Sequence, residues 1–402
     1  MDKILFLILN QQSVDFTFYF NGKSAPLLIF FLHGLMFSVL LLRKGMIQQR
    51  ASHRWLSLLL FLYSMYLAPY MLGYAGWYSN GTTRDILFFV PFMQVLLIGP
   101  VIYFYTQSLL NINFTLKRKD FIHFLPAILY MMYSLVVFVT DKLVLDEYYF
   151  YADGRDKDLS TWYQVCGFIS MVYYLIMSLR YYGNYKKLVF DKVSFAESIL
   201  FKWIQNFMFA FLIILILRGV FFFTNDVWKE FGGQFWHYIS FSFVFYYISI
   251  NGYANAVRVS TLADMYDTEI DVFKEVEIEQ NETETSTEEK DIEKWKNEIL
   301  ELMHTKRIFE NPKLTLSDLS RELEVTTKTI STVVNSGFDM NFNDFINHHR
   351  IEALKEKIQN NEHRQSTLLG LAYDCGFNSK ATFNRAFKKN TGLSPKEYVD
   401  SL

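Results

Sequence analysis

Two cysteines, Cys166 and Cys375, are all that 402 residues contain. One falls in an apolar run and the other in a polar carboxy-terminal stretch, so they have no route to a shared disulfide, and each reads as a buried structural thiol. A phosphate-cradling glycine loop, a nucleophile elbow and a paired-carboxylate constellation are all missing, as is any receiver-like or kinase-like segment. These absences argue against an enzyme and against a nucleotide cofactor. His33 and His237 stand in different apolar runs without the three or four converging ligands a metal needs, so no metal is expected.

Charge is the scarcest commodity of the front portion. Seven stretches of about 20 residues can be marked at 26–42, 55–75, 86–110, 121–140, 162–182, 201–223 and 235–252, and their centres are nearly free of ionisable side chains. A soluble helical bundle needs a polar face on every surface helix, so seven membrane spans are the better reading. Lysine and arginine concentrate in alternate short loops: Arg43, Lys44, Arg50 and Arg54, then Lys117, Arg118 and Lys119, then Arg180, Lys186, Lys187, Lys192 and Lys202. The positive-inside bias puts the amino terminus outside and, after an odd number of spans, the carboxy-terminal part in the cytoplasm. The run Ile4 to Leu9 is too short for a secretory signal core, and the polar Gln11, Gln12 and Asp15 prevent its extension. Residues 1–25 read as an extracytoplasmic or interfacial segment; if they spanned, there would be eight helices.

Within the apolar part, Pro91 and the Gly99-Pro100 pair should kink the third stretch, because proline removes a backbone donor. Arg218 and His237 are the candidate sensing residues, an arginine inside an apolar run being expensive and facing a cavity or partner unless it snorkels. The outer loops carry Trp77, Tyr78, Tyr148, Tyr149, Tyr151, Trp162, Trp228 and Trp236, mostly an interfacial belt, near the acids Asp141, Asp146 and Glu147.

Composition then shifts. Between 261 and 293 thirteen acids stand against Lys274 and Lys290, a local balance of −11, which reads as a disordered acidic tether. Beyond it Ile292, Trp295, Ile299, Leu302 and Met303 recur at helical spacing, as the first helix of a final domain. Thr315 with Asp318 forms a capping-box pattern ahead of Leu316, Leu319 and Leu323. After a break at Glu324-Val325, Thr326 caps a second short helix with Ile330, Val333 and Val334 inward and Thr327, Lys328, Ser331 and Thr332 outward. That is a helix-turn-helix plan, whose second helix enters a DNA major groove. The plan recurs. Leu368, Leu371 and Ala372 make a scaffold stripe, Cys375-Gly376-Phe377 turns the chain, and Ser379 caps a helix with Phe383, Ala386 and Phe387 inward and Lys380, Ala381, Thr382, Asn384, Arg385 and Lys388 outward. A helix over 341–359 spaces the two units; at roughly 34 Å they would read successive major grooves.

This carboxy-terminal portion resembles the AraC/XylS family of bacterial transcription activators. The second unit carries the likeness through Leu371-Ala372, Gly376-Phe377, Ser379, Phe383, Arg385, Phe387-Lys388, Thr391-Gly392, Ser394-Pro395 and Tyr398, and the first through Leu316, Leu319, Ile330, Asn341-Phe342 and Arg350-Ile351. Gly370, Ser320 and Val399 depart from the family's usual residues. By resemblance, Lys328, Ser331 and Thr332 face base edges in one groove, and Lys380, Thr382, Asn384 and Arg385 in the other, with Lys388 added on the same face. Arg385 can pair bidentately with guanine, a contact worth about 1–3 kcal/mol of discrimination. The phrases Ile98-Gly99-Pro100-Val101-Ile102-Tyr103 and His123-Phe124-Leu125-Pro126 are similar to sensor halves of membrane-embedded members of the same family.

The expectation is therefore an all-α chain: a seven-helix transmembrane bundle over 26–260, an acidic linker over 261–290, and a soluble double helix-turn-helix domain over 291–402, with units near 315–336 and 366–390. It describes a one-component transcription factor of the cytoplasmic membrane. Its expected partners are double-stranded promoter DNA, the lipid bilayer, RNA polymerase, a second copy and an unidentified ligand. A transporter or channel with an appended regulatory domain is the rival, and a precursor freed by proteolysis a third reading.

Overall fold

A computed structural model describes residues 17–79, 81–111, 113–196, 202–223, 231–265 and 289–402. The interfacial segment expected over most of 1–25, the core of the acidic tether and Trp228 lie outside the described residues. Among the described residues every regular element is helical, apart from one isolated antiparallel pairing of Val193 with Thr315. The chain divides into two compact units. The first comprises residues up to Tyr181 and Trp203 to Tyr266; the second comprises Tyr182–Lys202 and Asp267–Leu402.

The first unit contains α1 (Ser24–Ile47), α2 (Ala51–Tyr74), α3 (Gly81–Phe89), α4 (Val95–Leu110), α5 (Leu125–Phe138), most of α6 (Thr161–Lys192), α7 (Lys202–Phe223) and α8 (Phe235–Met265). α2 is the hub, packing against α1, α4 and α8. Close approach is built from small residues. A Cβ on Gly34 would meet Phe245 at 2.2 Å and Ser64 at 2.3 Å, and Ser38 and Ser57 each donate to the other's carbonyl, at 2.9 and 2.7 Å. Helices in lipid associate through such small-residue contacts and interhelical hydrogen bonds, since apolar area alone gives no preference for protein over lipid tails.

Among the described residues, five helical stretches are long and apolar enough to cross a membrane: Ser24–Ile47, Ala51–Tyr74, Arg118–Val144, Thr161–Lys192 and Lys202–Phe221. Their outward faces are apolar, with Ile29, Leu32, Met36 and Val39 exposed on α1, Leu129, Met132, Leu135 and Val136 on α5, and Phe209, Leu212 and Ile216 on α7. Side chains of this kind on the outside of a helix bundle match a lipid surround and not water. The expected seven spans are matched by these five among the described residues, with Val95–Leu110 as a shorter apolar helix. The stretch expected at 86–110 is no kinked helix: α3 ends at Phe89, backbone without helical pairing follows through Pro91, and α4 restarts at Val95 as a shorter apolar helix. Pro91 has no N–H to continue the ladder, so the helix stops instead of bending. Pro100, by contrast, is accommodated inside α4.

Two sequence expectations about side chains also change. Cys166 is exposed on α6 and not buried; only Cys375 sits in a core. The outer aromatics divide. Tyr149, Trp162 and Trp236 are exposed as a belt requires, but Tyr151 is buried and stacks on Phe88 with ring centroids 4.5 Å apart. Tyr78 and Tyr148 pack against the same cluster, donating to Asp156 and Asp85.

The second unit contains α9 (Glu289–Thr305), α10 (Leu316–Glu322), α11 (Thr327–Thr332), α12 (Phe342–Gln359), α13 (Leu368–Asp374), α14 (Lys380–Thr391) and α15 (Pro395–Asp400). One core runs through it, from Ile299 and Met303 on α9, through Leu319, Ile330, Phe345 and Leu354, to Ala372, Phe383 and Phe387. Hydroxyl and amide side chains at Thr315, Thr326, Asn341, Thr367, Ser379 and Ser394 accept backbone N–H groups and start successive helices. Gly376 has φ +95, and a Cβ there would lie 2.4 Å from the Phe309 carbonyl oxygen, so both dihedral and space require glycine.

Gly376→Ala should therefore cost about 2 kcal/mol or more, read as faster limited proteolysis within 289–402 of the full chain while cleavage elsewhere is unchanged. His349 packs between Phe309 and Phe345, and burial, reinforced by His348 and His304, lowers its pKa from 6.5 to about 4. The folded unit thus resists a proton that the unfolded chain accepts. The stability present above pH 6.5 should be lost as pH falls toward about 4, a slope in protease resistance that His349→Phe should flatten.

Candidate nucleic-acid interface

The first candidate face forms where α10 turns into α11. Glu324 takes the left-handed conformation at φ 53 to make the turn, and the Ser320 hydroxyl donates to the Val325 carbonyl across it. The serine that departs from the family pattern thus fills a structural role: it satisfies a carbonyl of the turn between α10 and α11. Thr326 accepts the Thr329 N–H at 3.1 Å and caps α11. Ile330, Val333 and Val334 are buried beneath it, while Lys328 is exposed and Ser331 and Thr332 are partly exposed. The α-helical turn pattern ends at Thr332 and gives way to a wider π-turn over Val333–Gly337.

The second face is longer and better defined. In α14, Phe383, Ala386 and Phe387 point into the core, leaving Lys380, Asn384, Arg385 and Lys388 exposed. Thr382 is the correction here. It is only 3% exposed, its hydroxyl lies 2.8 Å from that of Ser379, and its N–H is capped by the same Ser379 oxygen at 3.1 Å. Third in its helix, it turns toward the cap and the core, so it shapes the start of α14 and offers nothing to a base edge. The outward set is Lys380, Asn384, Arg385 and Lys388, spaced 4, 1 and 3 residues apart, which on an α-helix is a single stripe.

α12 ties the two faces together, packing against the π-turn after α11 and against α13 and α14. Two polar contacts fix α14 upon it: Lys389 to Asp344 at 2.6 Å, and His348 Nδ1 to Asn390 at 3.0 Å. Exposed contacts of this kind contribute little stability; the rotation of α14, and with it the direction of the cationic stripe, is set by the burial of Phe383, Ala386 and Phe387.

A family model described as helix-turn-helix domain matches residues 319–401, from the middle of α10 to the end of α15. Both faces lie within the match. The chain carries an AraC-type helix-turn-helix domain. It supports a role in DNA-binding transcription regulation. No curated protein and no solved structure matches the chain. Exposed cations and amides are the kind of donor that phosphates and purine edges accept.

Arg218 and His237, the candidate sensing residues, lie in the first unit. Arg218 donates to Gln164 at 2.7 Å and lies beside Tyr66, Tyr70 and Tyr238. His237 is fully buried, with Nε2 3.3 Å from the Tyr66 hydroxyl. The two therefore share one polar patch around Tyr66. Sequence reasoning missed the patch's extension. Gln164 donates to the Asp158 carbonyl at 2.6 Å, and the Asp158 carboxylate takes the Tyr130 hydroxyl at 2.6 Å and the Met93 N–H at 2.8 Å. Asp156 accepts from Tyr78 at 2.7 Å. Burial raises the pKa of both carboxyls. The pattern Asp156-Lys157-Asp158 stands just ahead of an apolar run, and such a pattern alone does not distinguish buried acids from solvated loop acids. Among the described residues no group of histidine, cysteine or acids is placed to hold a metal ion.

Arg385→Ala in the full chain should weaken binding to a selected DNA site by roughly 5- to 150-fold, the equivalent of about 1–3 kcal/mol, with protease resistance unchanged. Thr382→Val should leave base preference as it is and loosen the amino end of α14; competition binding against single-base variants of the site separates the two.

Proposed function

We propose that this chain is a membrane-embedded one-component transcription factor, whose AraC-type domain binds promoter DNA under control of a cue sensed in or across the membrane. One observation carries the reading: a single polypeptide combines an AraC-type domain presenting Lys328, Lys380, Asn384, Arg385 and Lys388 to solvent with five apolar stretches long enough to cross a bilayer. DNA contacts from such side chains divide into phosphate anchoring, which lysines supply, and base discrimination, for which arginine and asparagine have the bidentate geometry. Lys388 is assigned to phosphate, and Arg385 and Asn384 to base edges in the second groove; Lys328, Ser331 and Thr332 serve the first.

The distribution of lysine and arginine in the short loops supports a cytoplasmic position for the domain, where DNA is. The patch around Arg218, Gln164, His237 and Tyr66 is the favoured place for the cue to act, because buried hydrogen-bonded polar groups in an apolar helical unit have few alternative partners and respond sharply to a competitor. Any shift in DNA binding is limited by the cue's differential affinity for the two arrangements. RNA polymerase and a second copy of the chain complete the proposed set of partners.

The full chain should remain with membranes through alkaline extraction, and chromatin immunoprecipitation should recover discrete sites whose enrichment Arg385→Ala abolishes. Recovery in the aqueous phase, or enrichment indifferent to Arg385→Ala, would overturn the assignment.

A further inference from the structure

The sequence places residues 193–196 between two long apolar helices, α6 and α7, yet these residues belong to the same compact unit as the AraC-type domain. They are seated within it. Val193 is 1% exposed, and Ser194 and Ala196 are fully buried. Val193 pairs with Thr315, and the Ser194 N–H donates to the Leu314 carbonyl at 3.1 Å.

α12 receives the segment with three polar residues on one buried face. Asn343, Asn347 and Arg350 follow the i, i+4, i+7 spacing, and all three are under 5% exposed. They form a closed circuit with the segment. Asn343 donates to the Val193 carbonyl at 3.3 Å, Asn347 donates to Asn343 at 3.1 Å, and Arg350 donates to Asn347 at 3.3 Å. Arg350 then returns to the segment, donating to the Ser194 carbonyl at 3.4 Å and to its hydroxyl at 3.0 Å. Its remaining contacts go to the carbonyls of Phe309 and Asn311, both at 2.8 Å. A buried polar stripe is costly unless its groups are satisfied, and here part of that satisfaction comes from 193–196.

We propose that the surface formed by Leu314, Thr315, Asn343 and Arg350 is a docking site for the chain's own 193–196 segment, and that through it α6 and α7 act on the DNA reader. The site adjoins the control point of the first helix-turn-helix. Thr315 is the N-cap of α10 and shares a capping box with Asp318, and α12 orients α14. Val193 and Ser194 contact Leu314, Thr315, Asn343 and Arg350, none of which belongs to an outward stripe, so the segment acts by setting where α10 and α12 begin and face. Displacing it leaves the Asn343 amide and two guanidinium donors of Arg350 without acceptors.

The coupling rests on the DNA-binding reading, whereas the docking does not, and the two are tested apart. In the full chain carrying Cys166→Ser, the pair Val193→Cys and Thr315→Cys should join under mild oxidation, giving a linked 193–315 peptide by mass spectrometry that neither single variant gives. Absence of that peptide overturns the docking. For the coupling, Val193→Asp and the milder Ser194→Ala are compared in cells with a reporter driven by an immunoprecipitated site, with chain level in membranes matched by immunoblot. Reporter output should change by about fivefold or more in Val193→Asp, the scale of a typical coupling free energy, and in the same direction but less in Ser194→Ala. A reporter that responds to Arg385→Ala but to neither segment variant overturns the coupling and leaves the functional reading intact. A reporter indifferent to Arg385→Ala removes the functional reading and the coupling with it, while the crosslink still decides the docking.

Discussion

A guanidinium with no carboxylate partner among the described residues holds the second unit in its shape. Arg350 is among the largest fully buried side chains, and burial lowers its pKa from 12.5 to about 9. Taking such a charge from water is tolerable only when nearly every donor finds an oxygen. Arg350 meets that demand with carbonyls from three places along the chain, Ser194, Phe309 and Asn311, along with the Ser194 hydroxyl and the Asn347 amide oxygen. Those oxygens are far apart in sequence. Satisfying one side chain therefore fixes the turn after α9, the approach to α10 and the 193–196 segment on a single helix. Gly376 is caught in the same arrangement, since the Phe309 carbonyl that Arg350 holds fills the space a Cβ there would need.

In the first unit the corresponding constraint is the solvent. A helix whose outer face is isoleucine, leucine and methionine has no reason to pack tightly if its surroundings are equally apolar, and packing must come from shape and from hydrogen bonds. The Gly34 notch and the paired serines Ser38 and Ser57 are the outcome. So is the polar patch that runs from Tyr130 through Asp158 and Gln164 to Arg218. Tyr130, Asp158, Gln164 and Arg218 are each partnered within the unit, which lowers the cost of holding ionisable side chains next to apolar helices.

The two units solve opposite problems with related means. One shows apolar groups on its outside and buries polar ones in pairs; the other hides apolar groups and shows lysine, asparagine and arginine. The proposed control of DNA binding by membrane helices requires a mechanical or thermodynamic link between them, and coupling needs an element with two arrangements that both sites bias. A short buried segment held by hydrogen bonds has that character, because it is either seated or not.

What the sequence by itself determined was whatever depends on local pattern. Helix starts in the second unit were legible because each cap is a hydroxyl or amide side chain bonding two or three residues ahead, as at Thr315, Thr326 and Ser379. The inward stripes Leu316-Leu319, Ile330-Val333-Val334 and Phe383-Ala386-Phe387 followed from helical periodicity, and the turn glycine at 376 from its conformational need. The apolar stretches were legible from composition, but not how many helices they make, since a proline ends one helix at Phe89 and is absorbed in another at Pro100 according to what the neighbours supply. Thr382 was misplaced because periodicity gives a residue's side of the helix, while its hydroxyl's partner depends on the cap geometry of Ser379. The joining of Asp158, Gln164 and Arg218, and the seating of 193–196 against Asn343, Asn347 and Arg350, were decided by tertiary structure alone. Hydrogen-bond partners on different elements leave no periodic trace in a chain; they exist only once packing has removed the water that would otherwise have served each group.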